Sequence, residues 1–261
     1  MALRRWSGLV VAAVVLLGAC GSGGDGAATD TAEPSSADTS AVVETTPAGS
    51  EPTAEQAPGS LNAIGPTPAE IDPDGMKHSG IAASGEFTTN TVDIAPATQQ
   101  PDVRNYVVHV ETSTGLDANE VAGYVQQVLD SPRGWVGYRG VAFHLVADAS
   151  AADFALNLGS PPTVDIGCGA LDTGGTWSCR VGNQVFLNVD RWWFATPTWN
   201  GYLLDDYRAY MINHEVGHYL GFGHVTCPAA GSASPVMQQQ SITLNGCEPN
   251  PWPDVTGEKN G

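Results

Sequence analysis

A chain of 261 residues has room for one or two domains. Its 28 acidic side chains outnumber 10 basic ones, a formal charge of −18, and that balance excludes a nucleic-acid surface, whose phosphates demand basic partners. The excess is uneven, with 10 acids and no Lys or Arg between Gly21 and Gly75, yet the remainder is also acidic, which alone means only solubility and low self-association.

Arg4 and Arg5 make a short positive start, and Gly8 to Leu17 is an apolar run too short to span a bilayer comfortably. It ends in Leu17-Gly18-Ala19-Cys20, which resembles a bacterial lipobox. The resemblance implies a signal peptide over residues 1–19, cleavage before Cys20 and a lipid on its thiol. The chain would then be tethered to the outer, extracytoplasmic face of a cell membrane, with no spanning helix in the mature form. From Gly21 to about Gly75 the sequence is dominated by Gly, Ser, Ala, Thr, Pro, Asp and Glu, with almost no aliphatic clusters and no aromatic residue. Such a segment buries too little apolar surface to offset chain entropy, so residues 20–78 are expected to be a disordered tether with a reach of roughly 40 Å.

Hydrophobic order begins near Gly80, and residues 79–253 are read as one domain followed by a tail, 254–261. Residues 85–92 and 106–111 read as strands, with His109 a strand histidine rather than a ligand. Asp117 with Glu120 forms a capping box. It opens a helix whose Val121, Tyr124, Val125, Val128 and Leu129 share one face. Ser131 to Trp135 breaks that helix. Residues 141–147, 153–159 and 184–189 read as further strands, with a Gly/Pro-rich loop holding Cys168 and Cys179 between the last two. Trp192, Trp193 and Trp199 are expected to close the floor of the domain rather than to form a carbohydrate-stacking surface. Residues 203–220 form a long helix, with Leu204, Tyr207, Met211 and Leu220 packing inward and Asp205 and Asp206 suiting its N-terminal dipole. The fold class is therefore α+β, a mixed twisted sheet packed on helices.

The chemistry lies in HEVGHYLGFGH, His214 to His224. On a helix His214 and His218 fall one turn apart on one face, within reach of a single metal ion. Glu215 swings away from that face and would address a water at the metal. Gly221 permits a sharp turn that would bring His224 back as a third nitrogen ligand. Three imidazoles and an open position suit one catalytic Zn2+. A bare HExxH arises by chance in unrelated helices, and the added Gly221 and His224 make the pattern far more specific. Its rival is a structural or inactive metal site.

Met237 follows thirteen residues later, in Pro235-Val236-Met237. His214, Glu215, His218, Gly221, His224 and Met237 together resemble the metzincin metalloproteases, in which HExxHxxGxxH is followed by a Met-turn beneath the imidazoles. The resemblance implies a zincin-like fold and a peptidase with Glu215 as general base, passing a proton from water to the departing amine. One departure stands out. Some metzincins carry a Tyr two residues after the Met, and here that position is Gln239, so three histidines plus water are expected. More widely, SPRGW (131–135), YRAYMINHEVGH (207–218), PVMQQQ (235–240) and GCEPNPWP (246–253) resemble a family of secreted actinobacterial proteins, catalogued as a domain of unknown function and held to be zinc-protease-like.

Five Cys are present, at 20, 168, 179, 227 and 247. With Cys20 lipidated, four remain and allow three pairings. Sequence proximity favours Cys168–Cys179 and Cys227–Cys247, as an oxidising compartment permits. The leading expectation is a lipid-anchored zinc peptidase, acting as a monomer on protein or peptide outside the cytoplasm, with no nucleic-acid partner. The alternatives are a hydrolase of cell-wall peptide crosslinks and a silent, zinc-stabilised wall-associated binding lipoprotein.

Overall fold

Side chains of the strand Asp102–Glu111 alternate between two environments, as the pleat requires. Tyr106, Val108 and Val110 enter the main core, whereas Val107 packs with Val146 and Ala155 on the opposite face. The structure, a computed structural model, describes residues 65–253. Its strands are β1 (Glu70–Ile71), β2 (Lys77–His78), β3 (Phe87–Thr89), β4 (Asp102–Glu111), β5 (Val141–Leu145), β6 (Phe154–Gly159), β7 (Cys179–Val181) and β8 (Gln184–Asn188). The first two pair as an antiparallel hairpin. The other six form one mixed sheet in which β4, β5, β6 and β8 run parallel. Antiparallel strands close it, β3 beside β4 and β7 beside β8.

The helices are α1 (Ala118–Leu129), α2 (Trp135–Arg139), α3 (Pro161–Cys168), α4 (Val189–Phe194) and α5 (Leu204–Tyr219). The Asp117 carboxylate starts α1 by accepting the Asn119 and Glu120 N–H groups. Its face of Val121, Tyr124, Val125, Val128 and Leu129 is buried in the main core with Leu156, Leu158, Val185 and Leu187 of the sheet. The central helix is α5, in which every residue from Tyr207 to Gly217 is buried. A helix enclosed all round shows no apolar stripe, which is why its motif rather than its periodicity reveals it. Arg208 is satisfied inside this core by the Trp192 carbonyl at 2.9 Å, the Asp205 carboxylate at 2.9 Å and the Trp192 ring.

A mixed sheet packed on helices was expected and is observed. Several local readings are corrected. The stretch taken as a loop around Cys168 and Cys179 contains α3 and β7. Pro161 opens α3, a position where a missing N–H costs nothing. The strand expected over 184–189 ends at Asn188, whose side chain accepts the Asp190 N–H and starts α4, an element not foreseen. The strand expected over 85–92 is only Phe87–Thr89, because the Asn90 side chain takes over pairing, its Oδ1 accepting the Val108 N–H at 2.8 Å. Order also begins before residue 79. Within the expected tether, residues 70–78 form the β1–β2 hairpin, and Met76 is buried. The signal peptide, Cys20, the tether to residue 64 and the tail 254–261 lie outside the described residues. Among the described residues no helix is long and apolar enough to cross a membrane.

Candidate metal centre

His214 and His218 leave α5 one turn apart near its C-terminus. The helix ends at Tyr219, and Gly221, with φ of 96°, makes a reversal that a side chain would resist. His224 returns from that turn with its Nε2 3.3 Å from His214 Nε2 and 3.0 Å from His218 Nε2. The other ring nitrogens are fixed from behind. His214 Nδ1 lies 2.7 Å from the Val236 carbonyl and His218 Nδ1 2.9 Å from the Phe222 carbonyl. A carbonyl only accepts, so both Nδ1 atoms carry the proton and both Nε2 atoms present lone pairs.

Burial holds His214 far below the usual histidine range, to about 3, and the neighbouring His218 disfavours its protonated form further. Burial likewise lowers His218 and His224. The rings are therefore neutral at physiological pH, the state in which imidazole binds metals. Three imidazole nitrogens converging at 3.0 and 3.3 Å, two of them presenting lone pairs, form a donor set that fits one small ion. Among the described residues it is the one group of three or more His, Cys, Asp or Glu side chains close enough to share an ion.

Glu215 is 6% exposed and lines the same cavity of about 360 Å³ as the three imidazoles. Burial pushes its carboxyl up to about 8, against the pull of Arg180, and its Oε2 has no hydrogen-bond partner. An unsatisfied carboxyl oxygen beside three convergent nitrogens can handle a proton in that cavity.

Below the imidazoles the chain turns at Pro235–Gln238, closed by the Gln238 N–H to the Pro235 carbonyl at 3.0 Å. Met237 is fully buried in that turn, and its carbonyl accepts the Val225 N–H, next to His224, at 3.2 Å. Three residues that the sequence reading did not single out hold the turn. Gln240 donates to the carbonyls of Pro235 and Asn250 at 3.0 and 2.8 Å. Gln238 donates to the Thr243 carbonyl at 3.0 Å and accepts the Ser234 hydroxyl. Gly217 is the third, since a Cβ there would overlap the Met237 sulfur and the Trp135 ring. A glycine inside a helix costs about 1 kcal/mol relative to Ala, so its packing role was detectable in principle. The two glutamines gave no such signal, because a Gln-rich turn reads as surface.

Both favoured cysteine pairings are present as disulfides, Cys168–Cys179 and Cys227–Cys247. The second brackets the Pro235–Gln238 turn. His109 lies away from the site, on β4, with Nδ1 2.8 Å from the Thr89 hydroxyl. Trp192, Trp193 and Trp199 are buried. Gln239 is exposed at the cavity wall. No curated protein and no solved structure matches the chain. Residues 73–254 match the model of a family described as "Protein of unknown function (DUF3152)", and the chain belongs to that family.

Proposed function

We propose that the protein is a zinc-dependent peptidase of metzincin-like type, held by a lipid on Cys20 at the outer face of the cell membrane and acting on protein or peptide there. The observation that carries this reading is the convergence of three neutral imidazole nitrogens beside a buried, unpartnered Glu215 in one cavity. The order of His214, Glu215, His218, Gly221, His224 and Met237 supports the metzincin likeness, as does a mixed sheet lying against the site helix.

His214, His218 and His224 would hold the ion, and nitrogen donors suit zinc. Zinc supplies a Lewis acid that polarises a carbonyl and acidifies water. Burial raises the Glu215 carboxyl, and a bound cation beside it would favour the ionised form again; Glu215 would then take a proton from the attacking water and pass it to the departing amine. The imidazoles would not serve as bases, since their Nε2 lone pairs would be committed to the ion. A peptide substrate also has a backbone partner available. β7 pairs with β8 along one edge only, and Arg180 on β7 lines the cavity, so an extended segment can add along the open edge. The test is Glu215→Ala, assayed on a peptide library with zinc content measured in parallel. Zinc should be retained and cleavage lost; a variant that cleaves as well as the parent would remove Glu215 from the chemistry.

A further inference from the structure

The cavity beside Glu215 has a second charged wall. Arg191 of α4 lines it together with Tyr207, Ser241, Ile242 and Arg180. The Arg191 side chain is 1% exposed. It donates to the Ala195 carbonyl at 2.9 Å and to the Lys77 carbonyl, and it touches the Met76 sulfur. Its Nε–H has no partner. Among the described residues no carboxylate lies at ion-pair distance from it. The neighbouring Asp190 is engaged by the Ser79 N–H and hydroxyl and faces His78 instead.

Asp190 and Asp72 favour the Arg191 charge through space without touching it, and a buried guanidinium whose hydrogen bonds go only to carbonyls costs stability unless something supplies a closer anion. Arg180, at the cavity wall, likewise has an Nε without a partner. Two of the chain's 10 cationic side chains thus line one cavity, which Asp172 and Glu215 also line, in a protein whose overall charge is −18. The general field repels anions, so an anion that enters must be attracted locally.

We propose that this cavity selects an acidic side chain, Asp or Glu, next to the scissile bond, with its carboxylate closing on Arg191 and Arg180 reinforcing the attraction. Arg191 is then a specificity-determining residue. The assignment deepens the peptidase reading and rests on it for the peptide nature of the ligand. A planar guanidinium recognises a carboxylate by charge-assisted, geometrically matched hydrogen bonds, which the uncharged Asn and Gln do not reproduce.

The test is calorimetric titration of the zinc-loaded protein with tripeptide amides that begin with Asp, Asn, Glu or Gln, run beside cleavage assays on longer peptides carrying the same substitutions. An acidic peptide should bind roughly tenfold or more tightly than its amide counterpart. Arg191→Met should abolish that ratio. Because a buried arginine also supports the fold, Ser241→Asp is a second variant; it places a carboxylate in the cavity wall and should collapse the same ratio. Equal binding of acid and amide peptides overturns the proposal, as does failure of all four to bind, or an acid preference that survives both variants. Acid-selective binding without cleavage of any peptide would keep the cavity assignment and overturn the peptidase reading, so the two fail separately.

Discussion

Gly217 and Met237 meet so closely that any side chain at 217 would occupy the space of the Met237 sulfur and the Trp135 ring. The helix bearing two of the three imidazoles is thereby set directly on the turn below them. Trp135 completes the support, donating its Nε1–H to the Asn213 carbonyl at 3.0 Å and stacking on Phe222 beyond the helix end. Gly217→Ala should push α5 off this platform. Alanine gains about 1 kcal/mol of helix propensity, but overpacking typically costs 1–3 kcal/mol. We expect a net loss of about 1 kcal/mol in denaturant unfolding, accompanied by weaker zinc binding. A variant as stable as the parent with unchanged zinc affinity would show that the contact relaxes freely.

The disulfides separate stability from site geometry. Cys227–Cys247 closes a segment of 20 residues around the Met237 turn, whereas Cys168–Cys179 spans 11 and joins α3 to the edge strand β7. Each double Cys→Ser change should cost about 3 kcal/mol by the loop-entropy relation. Only the loss of Cys227–Cys247 should also weaken zinc binding, because its loop carries Met237, whose carbonyl accepts the N–H of Val225, the residue after His224. Parallel denaturant and zinc-competition titrations read both effects. Equal loss of zinc affinity in the two variants would contradict this division.

Glu111, at the end of β4, gives an acid-sensitive contribution away from the site. Burial opposes its charge, yet the Ser160 N–H at 2.7 Å, the Thr163 hydroxyl at 2.7 Å and the Gly85 N–H at 3.0 Å outweigh that and hold the carboxyl down to about 2. A carboxyl lowered on folding stabilises above its unfolded pKa, near 4.5, and loses that contribution as the pH falls towards 2. Glu111→Gln places an amide among donors and should cost on the order of 2 kcal/mol at pH 7. The gap between parent and variant should narrow between pH 4.5 and pH 2.5. A constant gap across that range would refute the assignment.

Local chemistry with a fixed spacing was readable in the sequence. His214, His218, Gly221 and His224 declare a helix and its reversal by spacing alone, and Asp117 declares the start of α1 by its type. Runs of apolar and β-branched residues marked β4, β5, β6 and β8, because these strands are largely buried. Features set by long-range partners were not readable. Residues 70–78 lack the apolar content of a domain edge, yet Met76 finds a buried site and Lys77 supplies a carbonyl to Arg191. α3 and α4 are too short for periodicity to show. Arg191 reads as an ordinary charge beside two tryptophans, and only the fold shows that it is buried without a carboxylate and faces the cavity. The polar support of the Met237 turn by Gln238, Gln240 and Asn250 is likewise a property of the folded chain.

The last prediction concerns the ion. If zinc binds the folded protein and not the unfolded chain, it stabilises by RT ln(1 + [Zn]/Kd), about 4 kcal/mol at a free concentration a thousandfold above Kd. A chelator should therefore lower the melting temperature by several degrees, and added zinc should restore it. His224→Ala should remove both responses while leaving the metal-free melting temperature close to that of the metal-free parent, because His224 is exposed and its Nε2 contacts are only the two imidazoles it faces. A parent whose melting is indifferent to both chelator and zinc would leave the three imidazoles without the ion that their geometry fits, and the peptidase reading would lose its basis.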